Sequence, residues 1–127
     1  VNTVRRALVA EDNAALARVI AFSLRKAGFE TTITQDGAEA WEQAQANDFN
    51  LVVTDHQMPH LTGVELTERL RGLERYALTP IVLLTAKGLE LDSERLAEEY
   101  RVAALLIKPF SPSELAKLVD RLTAQPA

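Results

Sequence analysis

Four apolar runs in this 127-residue chain end in groups that could do chemistry. Ala7-Leu8-Val9-Ala10 leads into Glu11-Asp12, and Leu51-Val52-Val53 leads through Thr54 into Asp55. Ile81-Val82-Leu83-Leu84 ends at Thr85, and Ala104-Leu105-Leu106-Ile107 ends at Lys108. Singly, each has an ordinary explanation: Glu11, Asp12, Asp55 or Thr85 could cap a following helix, and Lys108 could be solvated. If the runs are parallel strands, their carboxyl ends share one edge of a sheet, which is where open α/β sheets hold ligands. Three carboxylates, a hydroxyl and an ammonium would then converge. Crowded carboxylates raise one another's pKa unless a cation sits among them. Oxygen donors without Cys or His favour a hard ion, Mg²⁺ above all or Mn²⁺. A lysine and a threonine beside such an ion are donors for a tetrahedral anion. The set points to phosphoryl transfer, with a carboxylate nucleophile, a metal clamp and donors for the equatorial oxygens.

The segments between the runs read as helices. Leu16, Val19, Ile20, Leu24 and Ala27 lie on one helical face, and Gly28 supplies a stop. Thr31 to Thr34 is a β-branched run suited to an edge strand. Asp36 with Glu39, and Thr62 with Glu65, carry the spacing of helix N-termini. Ala40, Trp41 and Ala44 give the second helix its inner face, and Leu66, Leu70 and Leu73 give the third. Leu89 to Tyr100 reads as a fourth helix with Leu96, Ala97 and Tyr100 inward. Ser111-Pro112-Ser113-Glu114 opens a fifth, with Leu115, Leu118, Val119 and Leu122 inward. Five strands alternating with five helices require right-handed crossovers and a parallel sheet covered on both faces. The predicted architecture is a three-layer α/β sandwich formed by residues 1–127 as one domain, with 125–127 as a tail or the start of a linker.

Composition narrows the function classes. The chain is 47% hydrophobic and 25% charged, as in ordinary globular proteins. Fourteen Lys and Arg against 18 Asp and Glu give a formal charge of −4, which argues against direct nucleic-acid binding by a basic face. No apolar run approaches the ~18 residues of a membrane span, and no signal peptide is visible. The absence of cysteine excludes disulfides and thiolate metal sites, and a cytoplasmic location is the default.

Glu11-Asp12, Asp55 with Met58-Pro59 and Gly63, Thr85-Ala86, and Lys108-Pro109-Phe110 resemble the receiver domain of two-component response regulators, the CheY-like family. The resemblance covers essentially the whole chain. It implies a flavodoxin-like sheet of order 2-1-3-4-5. It also implies that Asp55 accepts a phosphoryl group from a histidine kinase or phosphotransfer protein. Asp12 would bind Mg²⁺ directly, Glu11 through water, and the backbone carbonyl of Gln57 would be a further ligand. Lys108 would pair with the phosphoryl group through a cis bond to Pro109, and Thr85 would swing towards it to change an output surface. Such a domain is no enzyme beyond its own phosphorylation and dephosphorylation.

Several positions depart from the family or vary within it. Leu105 stands where the family usually has an aromatic residue that turns with the threonine. Gln57 and Lys87 flank the path of water to a phosphoaspartate and would set its lifetime. On the first helix Ala14, Arg18, Ala21, Phe22 and Arg25 are expected to face outward, a surface suited to a kinase helix bundle. A monomer, or a weak or phosphorylation-dependent dimer, fits the resemblance. So does either a complete regulator or a receiver from a longer protein, with the downstream target unnamed. Two other readings compete. One is an unphosphorylated pseudo-receiver used for docking. The other is a haloacid-dehalogenase-like phosphohydrolase, which needs an acid where Gln57 stands.

Overall fold

The computed structural model describes residues 4–86 and 91–123. Strands β1 (Arg5–Ala10), β2 (Phe29–Thr34), β3 (Leu51–Asp55), β4 (Ile81–Ala86) and β5 (Ala104–Lys108) form one parallel sheet in the order β2-β1-β3-β4-β5. Between them run α1 (Ala14–Lys26), α2 (Gly37–Ala46), α3 (Gly63–Arg71) and α4 (Ser93–Tyr100), and α5 (Pro112–Thr123) follows β5. Alternate strand residues face opposite layers. Ala7, Val9, Leu51, Val53, Val82 and Leu84 pack with Ile20 and Leu24 of α1 and with Leu115 and Val119 of α5. Leu8, Ala10, Val52 and Ile81 pack against α2 and α3, and Leu83 meets Leu96 of α4. The predicted three-layer sandwich and strand order are those observed. Because the three central strands are sealed on both faces, a polar side chain can reach solvent only at their ends.

The helix starts follow from side-chain chemistry. Asp36 Oδ1 accepts the Glu39 amide at 2.8 Å, and Ser111 Oγ accepts the Glu114 amide at 3.1 Å. Thr62 and Glu65 form a reciprocal capping box, with bonds of 3.1 and 3.0 Å. At α1 the cap is Asn13, whose Oδ1 accepts the Leu16 amide at 3.0 Å. Neither Glu11 nor Asp12 caps this helix, so both carboxylates are left for the sheet edge. Gly28 ends the α1 turn with φ +97°, a conformation that costs a residue with a Cβ.

Three sequence expectations are corrected. On α1 the buried stripe is Ala17, Ile20, Ala21 and Leu24, whereas Val19 is 43% exposed. Ala21 is therefore not on the outer face; small residues let the helix lie close to its neighbours, and a pattern weighted towards large aliphatics passes over them. On α4, Ala97 is exposed and Leu96 is the buried anchor. Leu73 lies beyond the end of α3, before an unforeseen 3₁₀ turn at Glu74–Tyr76, although it still packs on the core. The Leu89 end of the predicted fourth helix, Lys87 and the 125–127 tail lie outside the described residues.

One arginine joins several of these parts. The Arg71 guanidinium, at the end of α3, donates to the carbonyls of Tyr76 (2.6 Å), Thr79 (2.8 Å), Tyr100 (2.8 Å) and Arg101 (2.9 Å). Arg101, in the left-handed conformation at the end of α4, donates in turn to Ala77 O at 2.9 Å. The C-terminal end of α4 is thus tied to α3 and to the entrance of β4. A lysine cannot supply such a fork. Arg71→Lys is expected to lower stability by about 2 kcal/mol in urea unfolding, since bonds from a charged donor are lost and partly buried carbonyls are left short; an unchanged midpoint would show the fork to be dispensable.

Candidate functional site

Strand register brings the chemistry-bearing residues together. Ala10 pairs with Thr54, so Glu11 follows level with Asp55; Asp55 pairs with Leu84, and Ala86 with Lys108. With neighbouring strands about 4.8 Å apart, β1 and β5 are separated by roughly 14 Å, and long side chains must close that gap. They do. Lys108 Nζ lies 2.7 Å from Glu11 Oε1 and 3.2 Å from Asp55 Oδ2. The second oxygens are held by main-chain donors: Glu11 Oε2 accepts the Asn13 amide at 3.0 Å, and Asp55 Oδ1 accepts the His56 amide at 2.9 Å. Glu11 and Asp55 are buried, whereas Asp12 is exposed. Gly63 is required beside them, because a Cβ there would overlap the carbonyl oxygen of Asp55 and the Leu83 side chain. Only glycine lets α3 start so close to the strand end.

The electrostatics are those of a cluster short of positive charge. Burial pushes the Glu11 carboxyl up from its usual range, with Lys108 and the Asn13 amide opposing and Asp12 and Asp55 adding to the rise. Burial alone would lower the Lys108 ammonium, but the attraction of Glu11 and Asp55 outweighs it and the net shift is upward. Lys108 therefore stays charged. It is one ammonium facing three carboxylates. One oxygen from each of Glu11, Asp12 and Asp55 lies within 4.8 Å of the others. Opposed ligands of an octahedral Mg²⁺ stand about 4.2 Å apart, so these residues need close only slightly to share an ion. The Thr85 hydroxyl is buried and has no partner among the described residues. An all-oxygen donor set with excess negative charge and an unused hydroxyl fits a hard divalent cation together with an anion.

The remaining predicted positions fall around this cluster. Gln57 is exposed in the turn after Asp55. The Lys108–Pro109 bond is cis. Leu105 is half-buried and packs on the Leu83, Leu96 and Val102 cluster beneath α4. Ala14, Arg18 and Phe22 are exposed on α1, with Phe22 at 64% and the Lys26 ammonium 5.7 Å from its ring centre. Sequence reasoning missed the amides of Asn13 and His56, because a main-chain donor leaves no trace in side-chain types. His56 itself could have been noticed as a polar residue following directly on the buried strand.

The model of the response regulator receiver domain family matches residues 7–120. The chain is 30% identical over 115 residues to the chemotaxis protein CheY1 of Helicobacter pylori, covering 89% of this chain and 92% of that protein. It is 34% identical over 117 residues to a probable transcriptional regulator, ycf29, of Porphyra purpurea, covering 91% of this chain but only 54% of the relative. Among solved structures it is similar to the receiver domain of the sensor histidine kinase PA1611 from Pseudomonas aeruginosa. There the TM-score is 0.83 at 29% identity, covering 97% of this chain and all of that one, and a magnesium ion is coordinated in its active site cleft. Among the described residues no helix is long and apolar enough to cross a membrane.

Removing the ammonium should expose the charge imbalance. Lys108→Met is expected to destabilise the divalent-free protein by about 3 kcal/mol, as when one partner of a buried pair is deleted. Added Mg²⁺ should raise the melting temperature of the variant more than that of the unaltered protein, which differential scanning calorimetry would check.

Proposed function

The chain belongs to the response regulator receiver domain family, and on that premise we propose that Asp55 is its phosphoacceptor, charged by a histidine kinase or a histidine phosphotransfer protein. The observation that carries the assignment is the different engagement of the three carboxylates. Glu11 is wholly enclosed, with one oxygen on Lys108 and the other on the Asn13 amide. Asp12 is exposed. Asp55, at the end of the central strand β3, is oriented by the His56 amide and Lys108 and keeps 6% of its side chain exposed where Glu11 keeps none.

An Asp55 oxygen attacks phosphorus, the P–O bond forms as the P–N bond to the donor imidazole breaks, and the imidazole leaves with its electron pair and takes up a proton. Hydrolysis restores the free state: water attacks phosphorus, the P–O bond to Asp55 breaks, and inorganic phosphate leaves as the carboxylate is regenerated. Glu11, Asp12, Asp55 and the carbonyl of Gln57 would hold Mg²⁺ (or Mn²⁺), which when bound supplies charge neutralisation among the carboxylates and the phosphoryl oxygens. Lys108 pairs with an incoming phosphoryl oxygen, moving from carboxylates it already touches. The Thr85 hydroxyl, without a partner among the described residues, supplies a further donor. Gln57 and Lys87 set the lifetime of the phosphoryl group. An acid at the Gln57 position would favour rapid turnover; its absence favours a held state and speaks against a phosphohydrolase.

The exposed α1 surface around Ala14, Arg18 and Phe22, with the neighbouring hollow lined by Leu16, Val19, Pro109 and Phe110, is where the phosphodonor docks in this reading. Residues 1–127 act as one receiver module in the cytoplasm, monomeric or weakly dimeric. Like other modules of this kind it catalyses only its own phosphorylation and dephosphorylation, and it does not itself bind nucleic acid. With radiolabelled acetyl phosphate and Mg²⁺ the protein should take up label, Asp55→Asn should take up none, and chelation should abolish uptake. Equal labelling of Asp55→Asn would remove Asp55 from the role, and a protein that takes up no label would be a docking pseudo-receiver.

A further inference from the structure

A hollow of about 320 Å³ separates α3 from α4 and belongs to none of the machinery above. His56, Val64, Leu91, Arg95, Leu96 and Tyr100 are among the residues that line it. His56 follows Asp55, and its main chain is held at several points. Its amide donates to Leu84 O and to Asp55 Oδ1, both at 2.9 Å, and its carbonyl accepts the Gly63 amide at 3.0 Å. The side chain is different: imidazole Nδ1 is buried and has no partner among the described residues. A buried polar atom left unpaired is unfavourable, so a state that gives it a partner gains by the difference.

Thr62 and Asp92, whose side chains cap α3 and α4, line the hollow with it, as do two polar side chains of α4 itself. Arg95 already has its Nε on Glu99 Oε1 at 3.0 Å. Tyr100 is better placed. Its main-chain carbonyl accepts from Arg71 Nε at 2.8 Å, which fixes its backbone to the end of α3, and its half-buried ring packs beside the Leu83, Leu96 and Val102 cluster. A phenol both donates and accepts, so it suits either tautomer of the imidazole.

Resting on the reading of Asp55 as phosphoacceptor, we propose that His56 is a positioning residue that carries the state of Asp55 to α4, through a hydrogen bond between its Nδ1 and the Tyr100 hydroxyl that forms on phosphorylation. The trigger is the amide bond to Asp55 Oδ1. In the free protein that amide donates to a full carboxylate, a charge-assisted bond. In the acyl phosphate the charge resides on the phosphoryl oxygens and that bond weakens; the amide shifts onto Leu84 O, and the change in its peptide plane re-aims the imidazole within the hollow. The energy difference between the two states lies in a contact made in only one of them, as a switch requires.

The test uses ¹⁵N-labelled protein with Mg²⁺ and beryllofluoride, alongside acetyl phosphate labelling. The chain has two histidines, His56 and His60, so His60 serves as an internal control. In the unaltered protein the His56 Nδ1 resonance should move on addition of beryllofluoride, together with the α4 amides. Tyr100→Phe, which removes only the hydroxyl, should label with acetyl phosphate at the unaltered rate, yet lose the Nδ1 shift and about half or more of the α4 response. An Nδ1 shift that persists in Tyr100→Phe, or its absence in an unaltered protein that does label, would overturn the coupling while leaving Asp55 as acceptor. Failure of the unaltered protein to label would overturn both.

Discussion

The ammonium of Lys108, held between Glu11 and Asp55, is the contact on which the rest of this site depends. It is made by residues at the ends of three different strands, Glu11 just past β1 and Asp55 and Lys108 closing β3 and β5, and it exists only because the order β1-β3-β4-β5 and a matched register bring those strand ends to one place. It also explains how three carboxylates coexist at a buried edge. One cation offsets part of their repulsion and leaves a deficit. A site with such a deficit is prepared for a divalent cation, and Lys108 with the buried Thr85 hydroxyl supplies donors of the kind an anion beside it needs. The free state is thus a compromise that ligands relieve.

The surrounding architecture keeps this compromise narrow. Asn13 rather than an acidic residue caps α1, so Glu11 and Asp12 are not diverted to helix capping. Gly63 lets α3 begin against the carbonyl of Asp55, and the His56 amide fixes one Asp55 oxygen. At the other end of α3, Arg71 fastens the end of α4 to it. The strand that carries Asp55 and α4 are therefore parts of one connected frame, with the hollow beside His56 between α3 and α4.

Much of this was legible before any coordinates. Apolar runs ending in charged residues marked the strands, capping signals marked α2, α3 and α5, and counting strand ends assembled Glu11, Asp12, Asp55, Thr85 and Lys108 into one cluster. What escaped the sequence has physical causes. Main-chain donors such as the Asn13 and His56 amides are common to every residue and carry no label. Burial of Ala21 and exposure of Val19 depend on how closely α1 approaches its neighbours, which apolar periodicity does not encode. The exposure of Ala97 reflects how narrow the α4 contact is: eight residues anchored chiefly by Leu96. By residue type alone nothing distinguishes Arg71 from a solvated basic residue at a helix end, and only the tertiary fold reveals four carbonyls around it.

The most direct measurement is reduction of the acetyl-phosphate-treated protein with borohydride, followed by peptide mass spectrometry. Borohydride converts an acyl phosphate on aspartate into homoserine and leaves free carboxylates untouched. Homoserine at position 55, dependent on Mg²⁺, is the expected result. Homoserine at position 12 instead, or none in a protein that nevertheless retains label, would contradict Asp55 as the group that holds the phosphoryl.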